Sequence, residues 1–331
     1  NIAIGFQSAK GITTGTNNTV IGYEALEDAD GAEHNNTVIG YNAGKNLEDD
    51  NADNNVLIGK DAGKAGSAAF TQNVAIGVQA LDGTSTAALE GCVVIGYQAG
   101  TAVNSTDSNG LVAIGHQAGA SAQSCANTTL VGYGAGDALT TGDANTAIGR
   151  HALGAEDAGN NSTAVGYSAL SSQNNDTGYN TAVGWTAGDG IVAGYANTLI
   201  GAEAGTTGTN DLTSGIQNVL IGQATSVSAS GATNQIVIGR GAAGMADNSI
   251  VLGNTAVERL YRQSAGANVK NNLYLEMYNN TVADCPQIFF NRSTSNTNGA
   301  NSTTGDNDKV GRIVFNGNDG SGFEESAMIE C

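Results

Sequence analysis

A short apolar motif recurs along most of this chain, and polar stretches separate its copies. The unit reads Asn-Thr-Val-Ile-Gly-Tyr-x-Ala-Gly at Asn36–Gly44, and close variants end at Gly100 and Gly188. Its central glycine occurs fifteen times, mostly 17 to 19 residues apart, at positions 5, 22, 40, 59, 77, 96, 115, 132, 149, 166, 184, 201, 222, 239 and 253. Such a period predicts a solenoid, in which each unit stacks on its neighbours because it cannot bury its apolar face alone.

Alternation within the motif predicts a strand that is apolar on both faces. The residue before the glycine is always Ile, Val or Leu, and the residue two positions earlier is Thr or a β-branched apolar residue. Since alternate residues of a strand share a face, we expect these two columns to point together into a core. The residue between them is Ala, Val or Leu. One face is therefore expected to line the interior of the coil, and the other to need a second body to cover it.

Two columns are the candidate structural residues. The residue before each glycine is predicted to form the repeat core: Ile21, Ile39, Ile58, Ile76, Ile95, Ile114, Val131, Ile148, Val165, Val183, Ile200, Ile221 and Ile238. The glycine is predicted to form a tight turn: Gly22, Gly40, Gly59, Gly77, Gly96, Gly115, Gly132, Gly149, Gly166, Gly184 and Gly201. Alanine follows three residues later in thirteen of the fifteen copies, and the rest of each unit is polar. Each repeat is thus predicted to be a strand, a tight turn, a short second strand and a loop.

Composition narrows the class of protein. The 331 residues include 48 Gly but one Pro, which favours continuous β ladders because Pro cannot donate a backbone hydrogen bond. The net charge of −19 argues against nucleic acid or an anionic membrane as a partner. No apolar run approaches the ~18 residues of a membrane span, so we expect no membrane insertion. The four cysteines lack metal-ligand spacing, which favours a reduced assembly compartment.

The repeat units resemble a known family over residues 1 to about 257. They are similar to the head repeats of trimeric autotransporter adhesins, which form a left-handed parallel β-roll in a three-chain bundle, and to related repeats of phage tail fibres. The units here are longer than the usual adhesin unit, so longer loops are expected. The resemblance implies an all-β protein: a parallel β-solenoid or β-roll of about fifteen 17–19-residue repeats, assembled as a homotrimer.

A second region begins where the period stops. We predict a repetitive β-solenoid over 1–253 and a short β-rich module over 254–331. The segment from Val310 to Phe323 resembles a shaft module of phage tail fibres that commonly precedes a self-cleaving chaperone domain. No heptads of an adhesin stalk are present. We therefore expect a phage fibre whose natural chain extends beyond both Asn1 and Cys331.

The function implied is structural: a fibre segment that links a virion to host-surface recognition, without catalysis. Its expected partners are two further copies of the chain, other phage tail proteins and a host-surface receptor, with a glycan as one candidate. A bacterial trimeric adhesin head at the cell surface is the alternative. A hexapeptide-repeat acyltransferase is a further one, because 18 residues equal three hexapeptides, although only one hexapeptide fits each coil. Ice binding through threonine ladders does not explain the valines that replace threonine at Val56, Val74, Val93 and Val112.

Remaining motifs are expected to be structural, and no catalytic, cofactor-binding or metal-ligating residue is predicted. Gly239–Gly244 matches the dinucleotide pattern G-x-G-x-x-G but overlies the repeat. Ten acids lie between residues 24 and 61, where a solvated face is expected and Ca²⁺ binding is the alternative. His34, His116 and His151 lie in different coils without paired spacing.

Two further columns have a predicted structural role. The asparagine four residues before the glycine is expected to adopt a left-handed turn or to stack into an amide ladder. An aromatic residue directly follows the glycine at Tyr23, Tyr41, Tyr97, Tyr133, Tyr167 and Trp185. This stripe is expected to pack between coils, and stacking platforms for sugars are the alternative.

Overall fold

The computed structural model describes residues 1–29, 31–49, 51–64, 69–83, 88–208 and 210–254, together with the backbone of strands 312–318 and 323–330. The chain divides into two units, Asn1–Arg259 and Leu260–Cys331. Because the described part of the first unit ends at Asn254, the boundary predicted there stays a prediction. Two strand-like runs in the sequence of the second region, 273–278 and 287–291, lie outside the described residues.

The first unit is a parallel β-solenoid, as the repeat predicts. Its strands are β1 (Ile2–Ile4), β2 (Thr19–Ile21), β3 (Thr37–Ile39), β4 (Val56–Ile58), β5 (Phe70–Thr71), β6 (Val74–Ile76), β7 (Leu89–Glu90), β8 (Val93–Ile95), β9 (Val112–Ile114), β10 (Thr129–Val131), β11 (Thr146–Ile148), β12 (Thr163–Val165), β13 (Thr181–Val183), β14 (Thr198–Ile200), β15 (Val219–Ile221), β16 (Ile236–Ile238) and β17 (Ile250–Leu252). All except β5 and β7 form one 15-stranded sheet in chain order. A single turn of 3-10 helix, Thr106–Ser108, is the one helix among the described residues.

Strand register places equivalent residues of successive coils on top of one another. Thr19 pairs with Thr37, and Ile21 pairs with Ile39. Outside the main sheet, parallel pairing within the described part of the first unit is limited to β5–β7, which lie just before the next motif, and to the isolated bridges Ile216–Thr233 and Ser226–Ala243. The segment after the glycine is turn, because several of its residues adopt left-handed backbone angles, such as Glu24 at φ 49° and Leu26 at φ 49°. The prediction of a short second strand there is wrong for most coils.

The middle residue of each strand forms the interior of the coil. Val38, Leu57 and Leu130 are fully buried. The alanine three residues after the glycine is fully buried in eleven consecutive coils: Ala25, Ala43, Ala62, Ala80, Ala99, Ala118, Ala135, Ala152, Ala169, Ala187 and Ala204. Loop residues such as Leu47 and Leu139 close the interior from the other side. Small side chains therefore allow each coil to close on itself with little aromatic content.

A buried amide ladder runs beside this apolar interior. Asn36 Oδ1 accepts a hydrogen bond from the Asn55 backbone N–H at 2.9 Å, and Asn36 Nδ2 donates to the Ala52 carbonyl at 2.7 Å. Asn180, Asn197 and Asn218 continue the pattern higher in the solenoid. The amide ladder is confirmed, whereas the left-handed conformation belongs to the preceding residue, as at Asn35 with φ 60°.

The glycine column is dictated by backbone geometry. Gly22 has φ 147°, and a Cβ built on it would lie 2.1 Å from the Gly40 carbonyl oxygen of the next coil. The same contact recurs in the following coils, where Gly40 would meet Gly59 at 2.2 Å. Any side chain here would force adjacent coils apart, so the predicted turn glycines are required both for backbone angle and for close stacking.

The second unit contributes one described hairpin. Strands β18 (Arg312–Asn318) and β19 (Phe323–Glu330) pair antiparallel, with Arg312 opposite Glu330. The register shifts between Phe315 and Asn316, which marks a bulge. This hairpin covers most of the segment that resembles the fibre shaft module.

Candidate functional site

The outer face of the 15-stranded sheet carries the columns on which a binding role would depend. The structure places the predicted core column on this face and not inside the coil. Nine of its members are half-buried: Ile21, Ile39, Ile58, Ile76, Ile95, Ile114, Val131, Val165 and Ile221. Four are exposed, namely Ile148 at 40%, Val183 at 38%, Ile200 at 41% and Ile238 at 37%. Of the two apolar faces that the sequence predicts, this column therefore lies on the one that the coil does not cover, and not on the one that lines the coil interior.

The physical reason lies in the size of the coil interior. The middle strand residue, the small Ala column and the leucines of the turn already fill it, as Val20, Ala25 and Leu26 do in the second coil. Strand alternation then forces Thr19 and Ile21 outward. Both faces of the strand carry apolar residues, as predicted, and the structure shows that the middle residue is the one that lines the coil interior.

Rings that follow the glycine stack along one edge of this face. Phe6, Tyr23 and Tyr41 form one run, with centroids 5.2 Å apart and interplanar angles of 18° and 7°. A second run joins Tyr97 to His116 at 5.1 Å and His116 to Tyr133 at 4.9 Å. Packing between coils, the expected role, is thus observed, and yet the tyrosines remain 43% to 48% exposed.

This stacking changes what the stripe can bind. Within a run each ring face is covered by the ring of the next coil, so what solvent meets is the ring edge and the hydroxyl. Flat stacking of a sugar on an aromatic ring needs a free face, and the inner rings of each run do not provide one. The sugar-platform alternative therefore applies only to the ends of a run and to Tyr167 and Trp185, for which no stacked ring is found among the described residues.

Two positively charged or titratable groups interrupt the aromatic stripe. Arg150 takes the place of a tyrosine, and its Cζ lies 5.4 Å from the Tyr133 ring centre and 5.8 Å from that of Tyr167. His151 meets the Tyr133 ring edge-on at 5.3 Å. His116 and Arg150 both occupy the position after the glycine that tyrosine holds in other coils, and the structure brings them to one stretch of surface, on either side of Tyr133.

The dense acids near the start of the chain are partly neutralised. Lys45 forms ion pairs with Glu24 and with Glu27 Oε2, the latter at 3.1 Å. Hydrogen bonds from Lys45 and Tyr23 hold the pKa of Glu24 below its ordinary value. Within the described ranges, no group of three or more His, Cys, Asp or Glu side chains is arranged to hold a metal. Asp30 and Asp50, two of the ten acids, lie outside the described residues.

Other motifs have structural positions. Gly239 ends strand β16, and its neighbour Gly241 donates to the Gln223 carbonyl of the previous coil at 2.8 Å, so the dinucleotide pattern is part of the solenoid. His34 Nδ1 accepts from the Thr16 backbone N–H at 3.1 Å.

Cys92 and Cys125 are buried free thiols, and desolvation raises the pKa of Cys125 to about 12. Among the residues that could be searched, no helix has the length and apolarity that a membrane crossing requires.

Comparison of the sequence with models of protein families and with curated proteins gave no match. The functional argument therefore rests on the geometry of the outer face.

Proposed function

We propose that this chain is a structural attachment protein: a homotrimeric fibre segment of a phage tail that links the particle to host-surface recognition. The observation that supports this proposal is the uncovered apolar face of the sheet. Its two outer columns, the Thr or β-branched residue and the Ile, Val or Leu residue of each strand, run through all fifteen strands without a covering element from the described part of the chain, and the aromatic stripe lies along one edge of them. Enzymatic chemistry is not needed for this role.

The size of the face fits an assembly interface. Fifteen strands at ~4.8 Å give a length of about 70 Å, and four to five extended residues give a width of about 13 Å, so the face covers on the order of 900 Å². Exposed apolar patches on monomers rarely exceed about 600 Å². A stable interface buries about 800 Å² per partner. A second and third copy of the chain are the simplest cover for such a regular face, since equivalent columns would meet at equal heights.

The proposed mechanism is mechanical. Backbone hydrogen bonds, the Asn ladder and the glycine contacts all run along the solenoid axis, so a load along the axis is shared by many bonds in each coil. Three chains that cover one another's Ile columns would add lateral stiffness. The hairpin β18–β19 in the second unit is compatible with continuation into a shaft.

Light scattering tests the assembly. A mass near three times the 33.1 kDa chain is expected, with resistance to detergent until the sample is boiled. Ile148→Asp on the outer face should abolish the trimer, and Ser172→Asp, an exposed loop change that adds the same charge, is its control and should leave the trimer intact. A folded monomer of the unmodified chain would overturn the trimer. Turnover of an acyl-coenzyme A donor by a trimer would instead favour the acyltransferase alternative.

A further inference from the structure

Arg150 differs from the other described cations in its surroundings. Tyr133 and Tyr167, from the coils on either side, place their rings 5.4 Å and 5.8 Å from its Cζ. The guanidinium therefore lies within cation–π distance of two aromatic rings, while the residue is exposed. Since a cation–π contact uses none of the N–H donors of a guanidinium, this arginine can still donate to a ligand.

No described carboxylate neutralises this arginine. Lys10, Lys45 and Lys60 each form an ion pair, whereas no carboxylate of the described ranges lies within 4.0 Å of the Arg150 guanidinium, and the same is true of Lys64 and Arg240, which lack its aromatic neighbours. The chain carries a net charge of −19, so carboxylates that could pair with Arg150 are abundant in the sequence, and yet none of the described ones does. The outer columns of the sheet and the aromatic column contain no Asp or Glu. An equivalent copy packed at the same height would not bring a carboxylate from those columns either.

Further donors lie close to the same ring. His116 stacks on Tyr133 at 4.9 Å, and His151 meets that ring at 5.3 Å. Room for His151 comes from Gly134, where a Cβ would lie 2.8 Å from His151 Nδ1 and 3.2 Å from Asp137 Oδ2. Asp137 borders this space beside His151, so the local charge is mixed around the imidazole and positive at Arg150.

We propose that Arg150, framed by Tyr133 and Tyr167, binds the carboxylate of an acidic sugar in a surface polysaccharide. A carboxylate is planar and can accept two parallel N–H bonds from a guanidinium edge. A neutral sugar has no charge that Arg150 could pair with, and the Tyr133 ring is already in contact with His116 and Arg150. This inference deepens the attachment role and rests on it for its biological meaning, but the site lies within one chain.

The probe is tetragalacturonic acid, with maltotetraose as the neutral control, both titrated calorimetrically into the full chain. Fluorescence of Trp185, the chain's single tryptophan, one coil beyond Tyr167, provides a second readout. We expect binding of the acidic oligosaccharide that weakens with added salt, and none of the neutral one. Absence of binding to tetragalacturonic acid at millimolar concentration would overturn the proposal.

Matched substitutions locate the site. Arg150→Gln should weaken binding about tenfold, the loss typical of one charge-assisted bidentate contact. Arg240→Gln is the control, because Arg240 follows the glycine of its own coil but no aromatic contact to it is found in the described residues. Equal weakening by both variants would show a general charge effect and refute the site. Arg150→Lys keeps the positive charge but lacks the paired N–H donors of a guanidinium. Undiminished binding by this variant would also refute bidentate recognition.

The two proposals fail separately. A trimer that does not bind tetragalacturonic acid would overturn the sugar-acid site and leave the fibre assembly standing. A monomer whose binding depends on Arg150 would overturn the trimer and leave the site standing. Binding of inorganic phosphate with no response to tetragalacturonic acid would assign the arginine to a free anion and refute the polysaccharide.

Discussion

The two faces of the same strands differ in what covers them. On the inner face Val38 and Leu57 are completely buried by their own coil. On the outer face Thr37 and Ile39 are only half-buried, although Ile39 is as apolar as its inner neighbours. The inner face is thus sufficient for the fold of one chain, and the outer face carries apolar surface that the described chain does not use. Folding and assembly are therefore encoded in alternate residues of one strand.

Asparagine side chains show the same contrast between buried and exposed positions. Asn36 lies inside and is bonded on both of its amide atoms to neighbouring backbone, with distances of 2.7 and 2.9 Å. Asn35, directly before it, is exposed and accepts from Asn17 Nδ2 at 3.1 Å. A buried hydrogen bond that loses its partner costs much more than an exposed one, because water can replace only the latter. The same amide side chain should therefore differ in energetic importance between the two faces.

The largest effect should come from a charge placed on each face in turn. Ala147→Asp puts a carboxylate into the fully buried interior and should cost at least about 4 kcal/mol, enough to prevent folding. Ile148→Asp, one residue later and 40% exposed, should leave circular dichroism and the melting temperature of the single coil stack nearly unchanged while it abolishes the trimer. Circular dichroism and light scattering measure the two effects.

Two conservative substitutions in strand β11 test whether this strand tolerates any change of sequence. Ala147→Gly and Ile148→Val should both fold, and Ile148→Val should still assemble. If Ala147→Asp and Ile148→Asp lose secondary structure to the same extent, the two faces are not separable. If Ile148→Asp remains a trimer, the outer Ile column is not the assembly surface.

Much of this fold could be predicted from the repeat alone. The glycine column, the apolar middle residue and the parallel stacking follow from the period and from strand alternation. The assignment of faces could not, because both faces are apolar and the bulkier Ile column is the more obvious core. The deciding fact is the left-handed turn after the glycine, which brings Ala25 and Leu26 inward and fills the coil before Ile21 is needed.

Two buried polar residues were also not identified from the sequence. Glu156 and Gln173 occupy the interior seven residues after their glycines, where Leu139 and Ile191 stand in flanking coils. Gln173 Nε2 donates to Glu156 Oε2 at 2.6 Å, so the pair is internally bonded. Alignment of the coils on the glycine would have marked both as polar residues in an apolar column. Arg150 could be marked in the same way, but its position between two rings required the structure.

The polar ladder provides the next test of inside against outside. Asn36→Ala removes an acceptor and a donor from buried backbone and side-chain partners, and should lower the free energy of unfolding by about 2–3 kcal/mol. Asn35→Gly keeps the left-handed angle and loses only an exposed amide pair, so a change of a few tenths of a kcal/mol is expected. Urea denaturation measures both.

Equal losses for Asn36→Ala and Asn35→Gly would contradict a special role for the buried ladder. Asn36→Asp adds a control of similar shape, because its carboxylate can accept from Asn55 but cannot donate to Ala52. It should be less stable than the original chain at pH 7.

The smallest expected effect concerns a carboxylate at the rim between the two faces. Asp137 is half-buried, and desolvation raises its pKa, an effect that the nearby His151 charge partly offsets. A carboxyl group whose pKa is higher in the folded than in the unfolded state destabilises the fold when it is ionised. Stability should therefore fall as pH rises from about 4 through the folded pKa.

The substitution Asp137→Asn removes this destabilisation. The variant should therefore be more stable than the original chain by at most about 0.5 kcal/mol at pH 7, because solvent screens the site, and equal to it at pH 3. Thermal melts at the two pH values measure the difference. Greater stability of the original chain at pH 7 would mean that the attraction between Asp137 and His151 outweighs desolvation, and that the rim behaves as solvated surface and not as an extension of the interior.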